Sequence, residues 1–283
     1  MQIHDLIADI QNSPDSRNLA VDRVGIRDLC HPIVFTDNHE GKTISQHSIA
    51  HFDMLVNLPK NVKGTHMSRF VEILNEKECL LSIANMPSQL TEMVTRLNAD
   101  DGYLQVKFPY FVTKYAPISK AASLMNYNVS LQGILEKGKM DVFATVVVPV
   151  TSLCPCSKEI SDYGAHNQRS HVTVTVRATP ELSLREIIQL VESKASCELF
   201  GILKRADEKA VTERAYDNPR FVEDTVRDIA ASLEKISTIK GYKISSENFE
   251  SIHNHSAYAE IDRLNMTAPV SQESSEAILC CDA

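Results

Sequence analysis

The stretch MNYNVSLQGILEKGKMDVFATVVVPV, residues 125–150, decides the fold. Apolar residues alternate from Met125 to Leu135. The polar segment EKGK (136–139) follows, and after it comes a valine-rich segment that ends at Val150. Alternation with period two turns one side of each segment toward a core, and β-branched residues favour strands. Two such segments joined by a short glycine-containing turn predict a long antiparallel hairpin.

Further strands and amphipathic helices are predicted on both sides of this hairpin. Alternating apolar residues predict strands at residues 43–58, 104–108, 171–176, 242–246 and 257–261. Apolar residues at i, i+3, i+4 and i+7 predict helices over residues 67–74 and 90–97. Two more helices carry start signals: Ser183 followed by Glu186 forms a capping-box pattern, and Asn218 with Pro219 suits an N-cap and first helical position.

The predicted order is two successive β-β-α-α-β-β units, an α+β fold in which helices cover one face of an antiparallel sheet. We assign residues 41–139 to the first unit and residues 140–264 to the second. Residues 1–40 lack sustained periodicity and are predicted to be an irregular arm, and residues 265–283 to be a disordered tail. Cys280 and Cys281 in that tail offer a redox or metal handle, although a disordered terminus is the simpler interpretation.

Composition argues against several classes of protein. The chain has 283 residues, 43% of them hydrophobic, which is enough for a core without disulfides. The net charge of −8 argues against general binding to nucleic acid or to an anionic membrane. Neither an export signal nor a run of about 18 apolar residues is found. Seven cysteines without a regular spacing fit a reducing compartment, so we expect a cytoplasmic protein.

The segments SLCPCSKEIS (152–161) and GAHNQRS (164–170) lie between two predicted strands. They place the thiol of Cys154 and the imidazole of His166 in one loop, a combination typical of metal sites or catalysis. The competing interpretation, equally favoured by composition, makes Cys154 and Cys156 small buried side chains and His166 an ordinary loop residue. A later segment, FESIHNH (249–255), adds a carboxylate and imidazoles; thiolate, imidazole and carboxylate together suit an open, catalytic zinc site.

Two further segments have weaker signals. Glu223 lies in the first turns of a predicted helix, where it is either a favourable neighbour of the helix dipole or a bidentate acceptor for guanine N1–H and the 2-amino group. The segment GTHMSRF (64–70) enters another helix and presents backbone amides with Ser68 and Arg69. Such a helix start suits phosphate, although capping with a surface arginine explains the same residues more simply.

Taken together, these residues resemble one family, the type IB GTP cyclohydrolases of bacteria with their archaeal relatives. The matching segments run in order over residues from about 11 to 262, and they are QNSPDSRN (11–18), GTHMSRF (64–70), CPCSKEIS (154–161), GAHNQRS (164–170) and NPRFVED (218–224). The resemblance implies a tunnelling fold, in which β-β-α-α-β-β units of several subunits form a barrel. It also implies that the protein is a homotetramer with active sites at the boundaries between subunits.

The resemblance further implies conversion of GTP and water to 7,8-dihydroneopterin triphosphate and formate, at the start of tetrahydrofolate or queuosine-type synthesis. The cofactor would be a divalent metal, Zn²⁺ first, with Mn²⁺ or Fe²⁺ as alternatives. Carried onto this chain, the metal candidates are Cys154, His166, Glu208, Glu250 and His253. Cys154, His166 and Glu250 are the catalytic candidates, and the substrate-binding candidates are Glu223, His66, Ser68, Arg69 and Arg169, with Lys120 as an alternative to Arg169.

Three alternatives remain open. A tunnelling-fold nitrile reductase would use a cysteine nucleophile and NADPH on a deazaguanine. The archaeal relative makes a cyclic phosphate product. An inert metal-binding oligomer would keep the fold with a degenerate site. The clustered His and Glu candidates argue against the first. Retention of all five candidate metal ligands, of Glu223 and of the phosphate-loop residues argues against the third.

Overall fold

The computed structural model describes residue 11 and residues 13–264. Its elements, in chain order, are β1 (Val21–His39), β2 (Lys42–Leu58), α1 (Met67–Asn75), β3 (Leu80–Leu81), α2 (Met86–Arg96), β4 (Gly102–Tyr115), β5 (Ala122–Glu136), β6 (Lys139–Leu153), α3 (Pro155–Ile160), β7 (Asn167–Ala178), α4 (Leu184–Lys194), β8 (Cys197–Glu198), α5 (Arg205–Asp217), α6 (Val222–Leu233), β9 (Ile239–Asn248) and β10 (Ala257–Asp262). The α+β prediction is confirmed.

The strands form one sheet in the order β10-β9-β7-β6-β5-β4-β2-β1-β3, with the short β8 paired to β6. Neighbouring strands are antiparallel except for β1 and β3. The hairpin predicted over residues 125–150 is confirmed as β5 and β6, with Glu136 opposite Lys139. Lys137 and Gly138 between them both have positive φ, 51° and 76°, as a two-residue type I′ hairpin turn requires.

The core lies between one face of the sheet and helices α1, α2, α4 and α6. Alternate strand residues point into it, and five of them on successive strands are fully buried: Val106, Leu131, Val148, Val174 and Ile244. The helices contribute Phe70, Leu90, Ile188 and Ile229 to the same cluster. The opposite face of the sheet has partly exposed residues such as Ser130 and Thr145. The middle of the sheet is filled by apolar packing, so the polar candidate site residues lie at its ends.

The irregular arm predicted for residues 1–40 is wrong for Val21–His39, which form the first and longest strand. Ile33, Phe35, Asp37 and His39 point inward in strict alternation and are buried. Two of these four inward residues are polar, which hides the apolar period that indicates a strand. Residues 1–10 and residue 12 lie outside the described part of the chain.

The predicted helix start at Asn218 is also wrong. Asn218 is the C-cap of α5, and α6 begins at Val222 with Phe221 as its N-cap. The side chain of Asn218 instead donates to the carbonyl of Ala195 at 2.8 Å, which holds the link between the two helices against α4. Helix α5 itself had no predicted counterpart, because a helix with only Asp207 and Ala215 buried has almost no apolar stripe.

Ser183 is the N-cap of α4, as predicted, but the predicted capping box with Glu186 does not form. The Ser183 hydroxyl donates to Asp37 of β1 at 3.2 Å instead. The predicted boundary between the two units, at residues 139 and 140, falls at the β5–β6 turn. One sheet and one core continue across this boundary, so the division into two units stays a prediction. The tail, residues 265–283, lies outside the described residues. Among the helices of the described chain, none is both long and apolar enough to cross a membrane.

Candidate active site

Cys154 lies directly after β6 and is the N-cap of the short helix α3. Its Sγ accepts a hydrogen bond from the backbone N–H of Ser157 at 3.5 Å, so a helix N-terminus faces the sulfur. The backbone N–H of Cys154 donates to the carbonyl of His166 at 3.2 Å. This backbone hydrogen bond joins the segments 152–161 and 164–170 at Cys154 and His166.

His166 and Glu250 lie side by side although 84 residues separate them in the chain. His166 Nδ1 is 3.7 Å from Glu250 Oε2 and 3.0 Å from Gln168 Oε1. The Gln168 amide nitrogen lies 3.5 Å from Glu250 Oε1. The side chains of His166 and Glu250 are only 13% and 14% exposed. The structure therefore brings three of the predicted residues, Cys154, His166 and Glu250, to one end of the sheet.

A line of polar side chains continues from this site into the sheet. The Gln168 amide donates to Ser152 Oγ at 2.9 Å, and Ser152 Oγ lies 2.7 Å from Ser170 Oγ. Ser152 and Gln168 are opposite each other in the β6–β7 ladder and point toward the core face. Gln168 is 9% exposed and the two serines are less exposed still. Polar groups this deep in a protein are nearly always hydrogen-bonded, and these three are.

The link between α5 and α6 brings Glu223 to the same end of the sheet. Arg220 N–H donates to the carbonyl of Leu153, the residue before Cys154, at 3.1 Å. Lys158 of α3 donates to the carbonyl of Tyr216 at the end of α5 and packs over its ring. Glu223 follows in the first turn of α6 with an exposed side chain. A carboxylate is therefore available to a ligand near the Cys154 loop.

Glu208 and His253 are exposed in the single chain. Glu208 lies in the first turn of α5, and the His253 ring stacks on His255 with centroids 5.0 Å apart. In residue 11 and residues 13–264, no group of three or more His, Cys, Asp and Glu side chains is arranged to hold a metal ion. The five-residue metal set thus stays a prediction.

The predicted phosphate residues are far from Cys154 in the same chain. His66 is the N-cap of α1, which carries Ser68 and Arg69 and packs on β1. Strands β2, β4 and β5 separate β1 from β6, the strand that ends just before Cys154, a distance on the order of 19 Å along the sheet at about 4.8 Å per strand. A single chain does not bring these three residues to the Cys154 site.

Two other phosphate candidates are also outside the cluster. Arg169 is exposed and points to the face opposite Gln168, because neighbouring residues on a strand alternate. Lys120, in the loop between β4 and β5, donates to the carbonyl of Pro117 at 2.8 Å.

Helix α5 is fixed at its start by a buried carboxylate, Asp207, which is 0% exposed. It accepts hydrogen bonds from the backbone N–H groups of Ile118, Ser119 and Lys204 at 2.8–2.9 Å and from the Ser119 hydroxyl. Burial by itself raises the pKa of this carboxyl, but these hydrogen bonds outweigh it and hold the pKa well below its usual range. The start of α5, with Glu208, is thereby tied to the β4–β5 loop.

Sequence reasoning missed Gln168, Ser152, Ser170 and Asp207. The first three had one usable signal, because polar residues at inward positions interrupt two otherwise apolar strand ends. Asp207 had only a weak local signal, its place three residues after the helix start at Lys204, because its other partners lie 88 and 89 residues away in a loop.

Comparison with known proteins gives a consistent result. GTP cyclohydrolase FolE2 2 of Dechloromonas aromatica is 57% identical over 256 residues, 90% of this chain and 94% of that protein. GTP cyclohydrolase FolE2 of Nitrosococcus oceani is 56% identical over 257 residues, 91% of this chain and 95% of that protein. Among solved structures, uricase from Arthrobacter globiformis has a TM-score of 0.49 at 8% identity over 88% of this chain and 96% of that chain, a likeness too weak to carry an argument.

The family match covers the elements that build the site. Residues 7–259 match the family described as type I GTP cyclohydrolase folE2, and this range includes Cys154, His166, Glu223 and Glu250. Both relatives are more than half identical to the chain over nearly their full length. The chain belongs to the FolE2 family of type I GTP cyclohydrolases.

Proposed function

We propose that this protein is a type IB GTP cyclohydrolase, which converts GTP and water to 7,8-dihydroneopterin triphosphate and formate. The observation that carries the proposal is the pairing of His166 with Glu250 beside the Cys154 loop, in a chain of the FolE2 family. A thiol, an imidazole and a carboxylate at one partly buried sheet end supply both metal donors and proton-transfer groups. The product would feed tetrahydrofolate or queuosine-type synthesis in the cytoplasm.

A divalent metal is part of this proposal, and the donor types support it. Cys154 Sγ, His166 Nε2 and the Glu250 carboxylate are the sulfur, nitrogen and oxygen donors that zinc accepts, and the carboxylate also admits manganese or iron. Glu208 and His253 are further candidates, since a four-coordinate open site needs fewer than five protein ligands. When bound, the metal supplies Lewis-acid activation of the water that attacks guanine C8.

The protein's own residues bind the base and move protons. Glu223, exposed in the first turn of α6, accepts from guanine N1–H and the 2-amino group, a bidentate fit that selects guanine. His166 and Glu250 exchange protons with the substrate as the five-membered ring of guanine opens and formate leaves. Their partial burial keeps bulk water from competing for those protons.

We also propose that the active site is completed by a neighbouring subunit of a tunnelling-fold homotetramer. The observation behind this is that His66, Ser68 and Arg69 lie on the β1 side of the sheet, whereas Cys154 follows β6 near its middle. If β-β-α-α-β-β halves join edge to edge in a barrel, the β1 side of one subunit, with α1, comes to the β10 edge of the next, where the β9–β10 loop carries Glu250 to His166. The basic residues of one chain would then hold the triphosphate of GTP bound to another.

Mixing two inactive variants tests the shared site. Arg69→Ala removes the phosphate residue and Cys154→Ala removes the metal thiolate, and each alone is expected to be inactive. Co-assembled oligomers should regain up to about a quarter of wild-type activity, since random mixing restores intact sites where two good halves meet. Co-assembled oligomers that stay inactive would refute the shared site without touching the proposed reaction.

The reaction itself is tested by pterin fluorescence. Protein stripped with a chelator is supplied with GTP and, separately, zinc, manganese or iron, and metal-restored fluorescence with release of formate is the expected result. NADPH consumption with a deazaguanine nitrile would instead identify the reductase. Folded protein that forms no pterin with any of the metals would contradict the proposed function.

A further inference from the structure

Gln168 is a buried side chain with contacts to two residues of the candidate site. Its Oε1 lies 3.0 Å from His166 Nδ1, and its amide nitrogen lies 2.9 Å from Ser152 Oγ and 3.5 Å from Glu250 Oε1. From these contacts we infer that Gln168 is a positioning residue that fixes the tautomer of His166, placing the proton on Nδ1 and the free lone pair on Nε2.

The orientation of the Gln168 amide follows from its acceptors. An amide presents two N–H donors on one side and an oxygen on the other, and its two orientations look alike in outline. An ionised carboxylate only accepts hydrogen bonds, so the side of Gln168 that faces Glu250 must be the NH₂. The reverse orientation would place the amide oxygen 3.5 Å from Glu250 Oε1 and set two acceptors against each other.

The two serines extend this chain of hydrogen bonds into the sheet. Because Ser152 Oγ accepts from the Gln168 amide, its own hydrogen is free to be donated to Ser170 Oγ, 2.7 Å away. Ser170 is 1% exposed and Ser152 is 3% exposed, so water does not compete for these bonds. Reversing the chain would require all three groups to turn together and would leave Glu250 facing an acceptor.

The consequence for His166 is chemical. With the Gln168 oxygen fixed toward it, Nδ1 must carry the hydrogen, and Glu250 Oε2 at 3.7 Å from the same nitrogen favours that hydrogen further. The neutral ring therefore has its lone pair on Nε2, on the far side from Gln168. A histidine that binds a metal or takes a proton commonly donates its other N–H to such an oxygen, which fixes the ring.

This inference rests on the proposed function in one respect, the use of the Nε2 lone pair to bind metal or to take a proton. The position of the proton can be measured without substrate or metal. Protein with ¹⁵N-labelled histidine rings, stripped of metal and held at neutral pH, is studied by solid-state NMR, which tolerates a large oligomer. The His166 signals are assigned by comparison with a His166→Asn sample. A protonated Nδ1 with an unprotonated Nε2 is expected, and the opposite tautomer would overturn the inference.

A variant separates positioning from packing. Gln168→Met keeps an unbranched side chain of similar length and removes the oxygen, so the His166 signals should shift to a mixture of tautomers. Zinc affinity, measured by competition with a chelator, should fall about 10- to 100-fold. Thr145→Val is the matched control, since it removes a side-chain hydrogen bond between the same two strands, to Thr175 at 2.9 Å, without touching Gln168 or His166, and it should leave tautomer and affinity unchanged.

The outcomes distinguish the two proposals. If Gln168→Met keeps both the wild-type tautomer and the wild-type zinc affinity, Gln168 does not position His166. If the variant does not fold, the wild-type spectrum alone still decides the tautomer. If the wild-type protein has the expected tautomer but forms no pterin from GTP, the proposed reaction fails while the assignment of Gln168 stands.

Discussion

Asp37 of β1 caps the helix that begins after Ser183, 146 residues further along the chain. Its carboxylate accepts from the Ser183 hydroxyl at 3.2 Å and from the backbone N–H groups of Leu184 and Arg185 at 3.3 and 3.2 Å. The hydroxyl of Tyr110 on β4 donates to the same carboxylate at 3.1 Å. A single buried side chain thus joins the first strand to a helix from the second half of the chain.

Asp37→Ala is therefore expected to destabilise the fold. The substitution leaves the N-terminus of α4 and the Tyr110 hydroxyl without their shared acceptor, and the free energy of unfolding should fall by about 2–3 kcal/mol. Urea denaturation at fixed protein concentration measures it, since assembly shifts apparent stability. Asp22→Ala, on an exposed position of the same strand, is the control and should change little. Equal midpoints for the two variants would contradict the capping role.

The buried ion pair of Lys114 and Glu192 gives a second stability prediction. Lys114 Nζ lies 2.8 Å from Glu192 Oε1, their side chains are 10% and 11% exposed, and the Tyr127 hydroxyl donates to the same oxygen. Lys114→Met leaves a buried carboxylate uncompensated and should cost about 3 kcal/mol or more. Adding Glu192→Leu should restore part of that loss, which a double-mutant cycle measures.

The exposed pair of Lys209 and Glu213, 3.7 Å apart on α5, is the matched control for this ion pair. Lys209→Met should change the free energy of unfolding by less than about 0.5 kcal/mol. A loss for Lys114→Met as small as this would show that burial does not strengthen the Lys114 pair.

Asp207 predicts how stability depends on acid. Because its folded-state pKa lies below its ordinary value of 3.8, its contribution is complete at neutral pH and is lost as the pH falls below about 4. Asp207→Asn should make the protein less stable at neutral pH and flatten its loss of stability toward low pH. Melting temperatures from pH 7 to 3 test this against Asp217→Asn, an exposed residue of the same helix. An unchanged slope for Asp207→Asn would contradict the assigned direction of the pKa shift.

Glu223→Gln tests recognition of the base. Because the side chain is exposed, the variant should fold normally. Losing the charged bidentate acceptor should raise the KM for GTP about 10- to 100-fold, with a smaller effect on kcat. Glu213→Gln, exposed on α5, serves as the control in the same steady-state assay. A KM that stays at the wild-type value would remove Glu223 from the base site.

Most strands and helices could be predicted from the sequence, but the first strand, β1, could not. The alternation in residues 125–150 is local and apolar, so the central hairpin could be predicted. β1 was hidden because two of its inward positions hold Asp37 and His39, and the partners of Asp37 lie on α4 and β4. Local periodicity does not record a partner 146 residues away.

The candidate site divides in the same way. Cys154 and His166 stand out because a thiol and an imidazole share one short loop. Gln168 is an ordinary polar residue by sequence, and only the β6–β7 register and the fold of residue 250 back onto it show what it contacts. The distance of His66 and Arg69 from that site is likewise a property of sheet order, which local patterns do not encode.

The most direct test of the central claim compares two cysteines that lie two residues apart. Zinc content and the rate of pterin formation from GTP are measured for Cys154→Ala and Cys156→Ala, whose native residue is exposed. Cys154→Ala is expected to fold, to lose its bound zinc and to lose turnover by a factor of about 10³ or more, while Cys156→Ala keeps both zinc and turnover. A Cys154→Ala enzyme that turns over GTP at close to the wild-type rate would contradict the account.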